Sequence, residues 1–356
     1  MQFYSPCVLM ESPSTDPFRI CLLSDTHLGI DMPMRPRIKR LRRGHDFRNN
    51  LLRVLDYAIY ACADCVIHCG DVFYRSRIPP HVTADAFELL AGVAQRGIPV
   101  MVVPGNHERS VIPNGLLSYR DGVTVFDVPS HVTIKAKGLT IGFGGFPYAQ
   151  DAGKRLRERV EQTGLLGTAA DIRILCMHQA VEGARVGVQN YRFGSGFDII
   201  SRTAIPKGID AVFAGHVHRA QCLESIPTDS GQSPIPIIFP GSIERTGFAE
   251  RLEEKGFTTV EIQRDPGGKV IMQRYFHRLP TRPMFCIDLN LSSLDPSVIL
   301  DTLSARVASL PADAVVQIRC AGNIRRCLRI PSIADIRAAV PQTMIVSVRC
   351  LYENDD

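Results

Sequence analysis

The sequence predicts an α/β fold: a layered β core covered on both faces, followed by a small C-terminal α/β unit. Three observations lead there. Short apolar runs recur with helical patterns between them, five of those runs finish in oxygen- or imidazole-bearing residues, and the pattern restarts after Pro280-Thr-Arg-Pro283. We therefore expect a larger unit over 17–279 and a smaller one over 280–352.

Residues 19–24 form the first strand, after a lead containing SPSTDP. Helical patterns cover 45–60 and 81–95, with the apolar run from Val66 between them and a further strand at 99–103. A β-α-β-α-β series of this kind predicts parallel strands with right-handed crossovers. Between 122 and 146 glycine punctuation predicts short strands, and a charged helix is expected over 148–163. Buried strands at 171–177 and 210–214 bracket a Gly-rich stretch, 181–201, that holds Tyr191 and Phe193. Such a stretch suits a substrate lip or an irregular connection, and the pattern alone leaves both open. Strands at 236–239, 256–262 and 269–277 complete the layered core. The last unit reads strand 285–291, helix 296–310, strand 314–320, helix 332–339 and strand 344–351. It holds no ligand cluster, so its expected role is to shape or cover a site built elsewhere.

At 356 residues and 45% hydrophobic composition the chain can bury a large core. A net charge of +5 permits contact with nucleic acid without requiring it. Eleven cysteines would suggest disulfides in a secreted chain, but residues 1–16 lack a basic start followed by an apolar core. Reduced thiols and a cytoplasmic location are expected. Cys62, Cys65 and Cys69 include one C-x-x-C, yet no second pair follows at zinc spacing, so these read as buried hydrophobes. No apolar run approaches the ~20 residues that would span a bilayer, and no membrane association is expected.

The chemistry gathers at strand ends. VIHCGD delivers Asp71, RICLLSDTH delivers Asp25 and His27, and VMVVPGNHE delivers Asn106 and His107. IRILCMHQ adds His178, and DAVFAGHVH adds His216 and His218. In an open α/β sheet the ligand crevice lies beyond the carboxyl ends of the strands, so these residues should converge. Two divalent ions with one bridging carboxylate need roughly seven protein ligands. Asp25, His27 and His218 fit the first ion and Asn106, His178 and His216 the second, with Asp71 between them. Mixed oxygen and imidazole donors without thiolate favour manganese, iron or zinc. Such a pair, about 3.5–4 Å apart, activates water and offsets phosphoryl charge. His107 is left over as a proton donor or transition-state group. His45, His68, His81, His131 and His277 lack ligand-spaced partners and read as structural.

The tract MRPRIKRLRR carries Arg35, Arg37, Lys39, Arg40, Arg42 and Arg43 soon after Asp25 and His27. It reads equally as a solvated helix start or as a lip that contacts a phosphate backbone.

The ordered series D-x-H, G-D, G-N-H, H and G-H-x-H over 19–219 resembles the calcineurin-like metallophosphoesterase family. SDTHLG at Ser24, GDVF at Gly70 and PGSIERTGFAERLEEKGFTTVEI at Pro240 are similar to the SbcD-type DNA-repair nucleases in particular. The resemblance implies an α/β/β/α metallophosphoesterase core, a C-terminal capping domain, two manganese ions and cleavage of DNA phosphodiesters as exonuclease or endonuclease. It also implies a possible homodimer and a possible SbcC-type ATPase partner. Two departures stand out: Tyr74 occupies a position where archaeal and eukaryotic members carry histidine, and Glu108 replaces the commoner aspartate. The chain also ends at Asp356, soon after the expected cap, which leaves little length for an ATPase-binding tail. The alternatives are a small-substrate phosphodiesterase or phosphatase on the same site, and a non-catalytic DNA-end-binding subunit.

Overall fold

Apolar residues on both sides of a strand require cover on both sides, and the architecture follows from that. The computed structural model describes residues 16–31, 42–108, 122–228, 233–290, 298–322, 333–338 and 340–352. The lead SPSTDP lies outside the described residues except for its last two.

The chain runs β1 (Phe18–Leu23), α1 (Gly44–Tyr60), β2 (Cys65–His68), α2 (Pro80–Ala94), β3 (Val100–Val102) and β4 (Val123–Val125). Next come β5 (Ser130–Ala136), β6 (Leu139–Gly145), a helix at Ala152–Thr163 and β7 (Ile172–His178). Four two-residue strands follow: β8 (Ala180–Val181), β9 (Arg185–Val186), β10 (Tyr191–Arg192) and β11 (Ile199–Ile200). The core closes with β12 (Ala211–Gly215), β13 (Gln221–Glu224), β14 (Pro236–Phe239), β15 (Gly256–Arg264) and β16 (Val270–Arg278).

These strands build two six-stranded sheets, ordered β16-β15-β1-β2-β3-β4 and β13-β14-β12-β7-β6-β5. Strands β1 to β4 are parallel, as are β6, β7, β12 and β14, while β15, β16, β13 and β5 add antiparallel edges. Alternation along each strand sorts its side chains between layers. Phe18, Ile20 and Leu22 of β1 meet Ile174 and Cys176 of β7 and Phe213 of β12 in the space between the sheets. Cys21 and Leu23 instead face Phe47, Leu51 and Val54 of α1 and Phe87 and Leu90 of α2. On the far side, Leu175, Met177, Val212 and Ala214 pack on Leu156 and Val160 of the helix Ala152–Thr163. The layers are α/β/β/α.

The helix expected from residue 148 begins at Ala152, because the backbone N–H of Tyr148 donates to the Pro104 carbonyl at 2.9 Å and holds that stretch extended. Lys137 and Gly138 both take positive φ, 54° and 71°, which lets a tight turn join β5 to β6. The last unit is a three-stranded parallel sheet of β17 (Met284–Asn290), β18 (Val315–Gly322) and β19 (Ile345–Tyr352). With the helices Ile299–Ala308 and Ile333–Ala338 it encloses its own apolar cluster around Leu289, Leu303, Ile318 and Ile336.

Phe143 is fully buried between the two large sheets. Phe143→Ala should lower unfolding free energy by about 3–5 kcal/mol, read from the midpoint shift in guanidinium titration.

Candidate metal centre

Each candidate ligand stands at or just beyond the carboxyl end of a buried strand, and at most of them the backbone turns sharply. Asp25, His27, Asp71 and His216 all take positive φ, between 44° and 81°, four of the seven described non-glycine residues that do so. Such backbone costs of order 1–3 kcal/mol per residue and persists where surroundings over-determine it. Here they do. The N–H of Asp25 donates to the Gly70 carbonyl at 2.9 Å and that of His27 to Asp71 at 3.0 Å, locking the first two ligand loops together. Glycine is required at two close approaches: a Cβ on Gly105 would sit 2.2 Å from the Asp71 carboxylate, and one on Gly215 1.9 Å from the Cys69 carbonyl.

The side chains form two adjoining groups about Asp71. In the first, the Nε2 atoms of His27 and His218 lie 3.0 Å apart, with Asp25 Oδ1 at 3.9 and 3.6 Å from them. In the second, Asn106 Oδ1 lies 3.0 Å from both His178 Nε2 and His216 Nδ1. Asp71 Oδ2 reaches both groups, at 3.8 Å from His27 Nε2 and 3.4 Å from His178 Nε2. Asp25, Asp71 and His178 are almost wholly buried.

The tautomers follow from the outer partners. His178 Nδ1 donates to the Cys69 carbonyl at 2.7 Å, which leaves its Nε2 lone pair facing Asn106 and Asp71. His218 Nδ1 donates to Glu250 Oε1 at 2.8 Å, which turns its Nε2 toward His27. His178 Nε2 and Asn106 Oδ1 thus confront each other lone pair to lone pair, and His27 Nδ1 is buried without a hydrogen-bond partner. A cation held between His178 and Asn106 would satisfy both, and the imidazoles of the site titrate in opposite directions according to how near each stands to a carboxylate. Burial lowers the His178 pKa, but the Asp71 carboxylate outweighs it and lifts the ring to about 9. Burial raises the Asp71 pKa, yet His178, His27 and His107 hold it well below the usual carboxylate range. Burial, with little compensation, drops His216 to about 3 and keeps it a neutral donor. Asp25, His27 and His218 offer one ligand atom each within 4.8 Å of one another, as do Asp25, Asp71 and His178, and also His27, Asp71 and His107. The donor set fits divalent ions of borderline character.

His107 stands at the open side. Its backbone N–H donates to Asp71 Oδ1 at 3.0 Å, its Nδ1 is engaged by the Tyr74 carbonyl, and its Nε2 lies 3.8 Å from Asp71 Oδ2. The Tyr74 ring, exposed, packs 5.9 Å from that of His107. Across the site Tyr148 stacks on His216 at 5.9 Å.

The basic tract divides. Arg35, Arg37, Lys39 and Arg40 lie outside the described residues. Arg42 hydrogen-bonds Asp31 at 2.6 Å. Arg43 is 4% exposed, with Glu244 at 3.1 Å and the Arg245 carbonyl at 2.7 Å. Its guanidinium is thus turned inward, away from any backbone phosphate.

The supporting residues were missed by sequence reasoning. Glu250 receives His218 Nδ1 and Thr246, and the fully buried Lys255 bridges Glu250 at 2.7 Å, Glu253 at 3.0 Å and the His218 carbonyl at 2.9 Å. Glu108 anchors the third ligand loop by accepting the N–H groups of Phe73 and Gly105, both at 2.7 Å. A run of charge leading straight into an apolar strand, as in ERLEEKG ahead of FTTV, was the available signal.

The profile of the calcineurin-like phosphoesterases matches residues 18–220, more than half of the sequence. The chain belongs to that family. This phosphoesterase is 25% identical over 254 residues to the DNA double-strand break repair protein Mre11 of Saccharolobus solfataricus, covering 69% of this chain and 61% of that protein. It is 24% identical over 294 residues to the Mre11 protein of Archaeoglobus fulgidus, covering 77% and 62%. The phosphoesterase therefore spans about three-fifths of the length of these relatives. A dimetal phosphatase of Danio rerio aligns over 74% of this chain and 96% of its own at 15% identity, with a TM-score of 0.44.

Glu250→Gln removes the negative acceptor that orients His218. Divalent-ion affinity should fall about 10- to 100-fold, measured by Mn²⁺ titration calorimetry.

Proposed function

We propose that this phosphoesterase hydrolyses DNA phosphodiesters as an SbcD-like repair nuclease with two divalent ions. The reading is carried by the convergence of seven oxygen and nitrogen donors on one volume around the buried Asp71. Asp25, His27 and His218 would hold one ion, Asn106, His178 and His216 the other, with Asp71 shared. Manganese is the first choice among borderline ions, ahead of iron and zinc. Ions held there supply Lewis acidity to a phosphoryl oxygen and lower the pKa of water.

The protein's own groups supply orientation and proton transfer. Asn106 presents its oxygen between His178 and His216, and the neighbouring Asp71 carboxylate outweighs burial to lift His178 to about 9. With Nδ1–H committed to the Tyr74 carbonyl, His107 turns only Nε2 to the site, and in its doubly protonated form the ring would pass the Nε2 proton to the leaving oxygen and return to the neutral Nδ1–H tautomer. DNA as substrate is supported by the repair role printed for the relatives. On the same reading residues 280–352 are a capping domain, a second copy and an SbcC-type ATPase are partners, and the cytoplasm is the location. No described helix is long and apolar enough to cross a membrane.

The test is incubation with Mn²⁺ and labelled duplex, labelled single strand or a chromogenic phosphodiester. Faster turnover of DNA is expected; preference for the small ester would make the chain a small-substrate phosphodiesterase, and no turnover with ions bound would make it a DNA-end-binding subunit.

Asp71→Asn should lose bound metal and turnover together; two ions retained on metal analysis would sink the bridging assignment. His107→Ala should keep both ions while turnover falls ~10²- to 10⁴-fold, and an unchanged rate would leave that ring merely structural.

A further inference from the structure

The Gly-rich stretch between β7 and β12 contains a built element. β9 and β10 form a hairpin in which Tyr191 pairs with Val186 and Arg192 with Arg185. Residues directly opposite in an antiparallel pair share a face. Val186 and Phe193 pack on the cluster around Leu156 and Val160, and Tyr191 sets its ring edge-on to Phe193 at 5.6 Å. Arg185 and Arg192 stand directly opposite each other on the other face of the pair. Both arginines are exposed, and neither has an ion pair among the described residues.

Like charges placed directly across a strand pair are destabilising. A flexible loop would relieve the conflict by moving, but this hairpin is fixed at three points. The Gln221 side-chain amide pairs with the Arg185 backbone in both directions, accepting its N–H and donating to its carbonyl, each at 2.9 Å. Arg219 donates to the Gly187 carbonyl at 2.5 Å and to Asn190 Oδ1 at 2.6 Å. Glu253 accepts the Gly187 N–H at 3.2 Å while pairing with the buried Lys255. Arg219 directly follows His218, so the turn of the hairpin is tied by one side chain to a candidate ligand loop. Several hydrogen bonds thus fix the backbone that presents two exposed arginines at opposite positions, on a hairpin tied through Arg219 to the loop that carries His218.

We infer that Arg185 and Arg192 form a clamp for the phosphate backbone of a polynucleotide leaving the metal centre. The clamp rests on the DNA-hydrolysing reading and supplies what the seven ligands cannot: a grip on the strand beyond the scissile phosphate. Paired guanidinium groups suit phosphate oxygens because each offers a planar fork of donors. A bound phosphodiester would also offset the repulsion between like charges at directly opposite positions.

The test compares wild type with the double variants Arg185→Gln/Arg192→Gln and Arg185→Lys/Arg192→Lys. Anisotropy of labelled duplex and single-stranded DNA is followed over a series of salt concentrations. Each phosphate contact contributes a slope of about −0.9 for duplex and −0.7 for single strands in log affinity against log salt. The glutamine variant should flatten the slope by about two such contacts, the lysine variant should keep most of it, and turnover of the chromogenic diester should not change in either. The melting temperature of the glutamine variant should hold or rise, since a repulsion is removed. Salt-dependent DNA binding by wild type with the same slope in the glutamine variant overturns the clamp alone. Wild type that turns over the diester but shows no salt-dependent DNA binding overturns the clamp and the DNA reading together.

Discussion

The site depends on a single requirement: a carboxylate, Asp71, must remain ionised while almost wholly buried. Burial alone would neutralise it. The imidazoles of His27, His107 and His178 and the amide of His107 surround it, and His178 and His107 are themselves held from outside by the Cys69 and Tyr74 carbonyls. The same logic extends to Glu250 and Lys255, which are buried charges that satisfy one another and the back of His218. Removing one member of such a set leaves its partner uncompensated, which is far more costly than the net contribution of the pair. The chemistry and the local stability therefore rest on the same groups.

The two sheets contribute unequally. Asp25, Asp71, Asn106 and His107 follow strands of the first sheet, whereas His178, His216 and His218 follow strands of the second. The centre lies on the seam, above an apolar layer filled by large side chains such as Phe213 and Phe143. Gly70, against His178, and Gly215, against the Cys69 carbonyl, let the two rims approach so closely that no side chain fits between them, and Gly105 does the same between the Asp71 and Asn106 loops of the first sheet. Packing between the sheets thus sets the distances between donors.

Much of this was legible in the chain itself. Strand and helix positions follow from local apolar periodicity, and five polar strand ends are informative because strand order brings carboxyl ends to one rim. The pairings that support the site were not legible. Arg43 reads as one more charge in a basic tract, and the distant Glu244 and Arg245 carbonyl, with Asp46 one turn on, explain its burial. Glu250 and Lys255 lie in a charged run that looks solvated until His218, 32 residues away from Glu250, is placed beside it. The hairpin at 185–192 was hidden because its fixing points, Gln221 and Glu253, come later in sequence. Local pattern encodes elements; pairings across long separations are decided by the packed whole.

Those separations also bear on how the molecule is made. Asp25 and the backbone of His216, 191 residues apart, are joined by hydrogen bonds, and β1 must pair with β15 to complete the first sheet. Loop closure over such distances comes late, since its entropy is spent before the contacts reward it. A nascent chain on the ribosome can form β1 to β3 with α1 and α2 early, but it exposes the polar rim of a half-built site until residues near 264 have emerged. Synthesis and assembly of the centre are thereby coupled in time, and a truncated translation product carries the first four donors without the ability to use them.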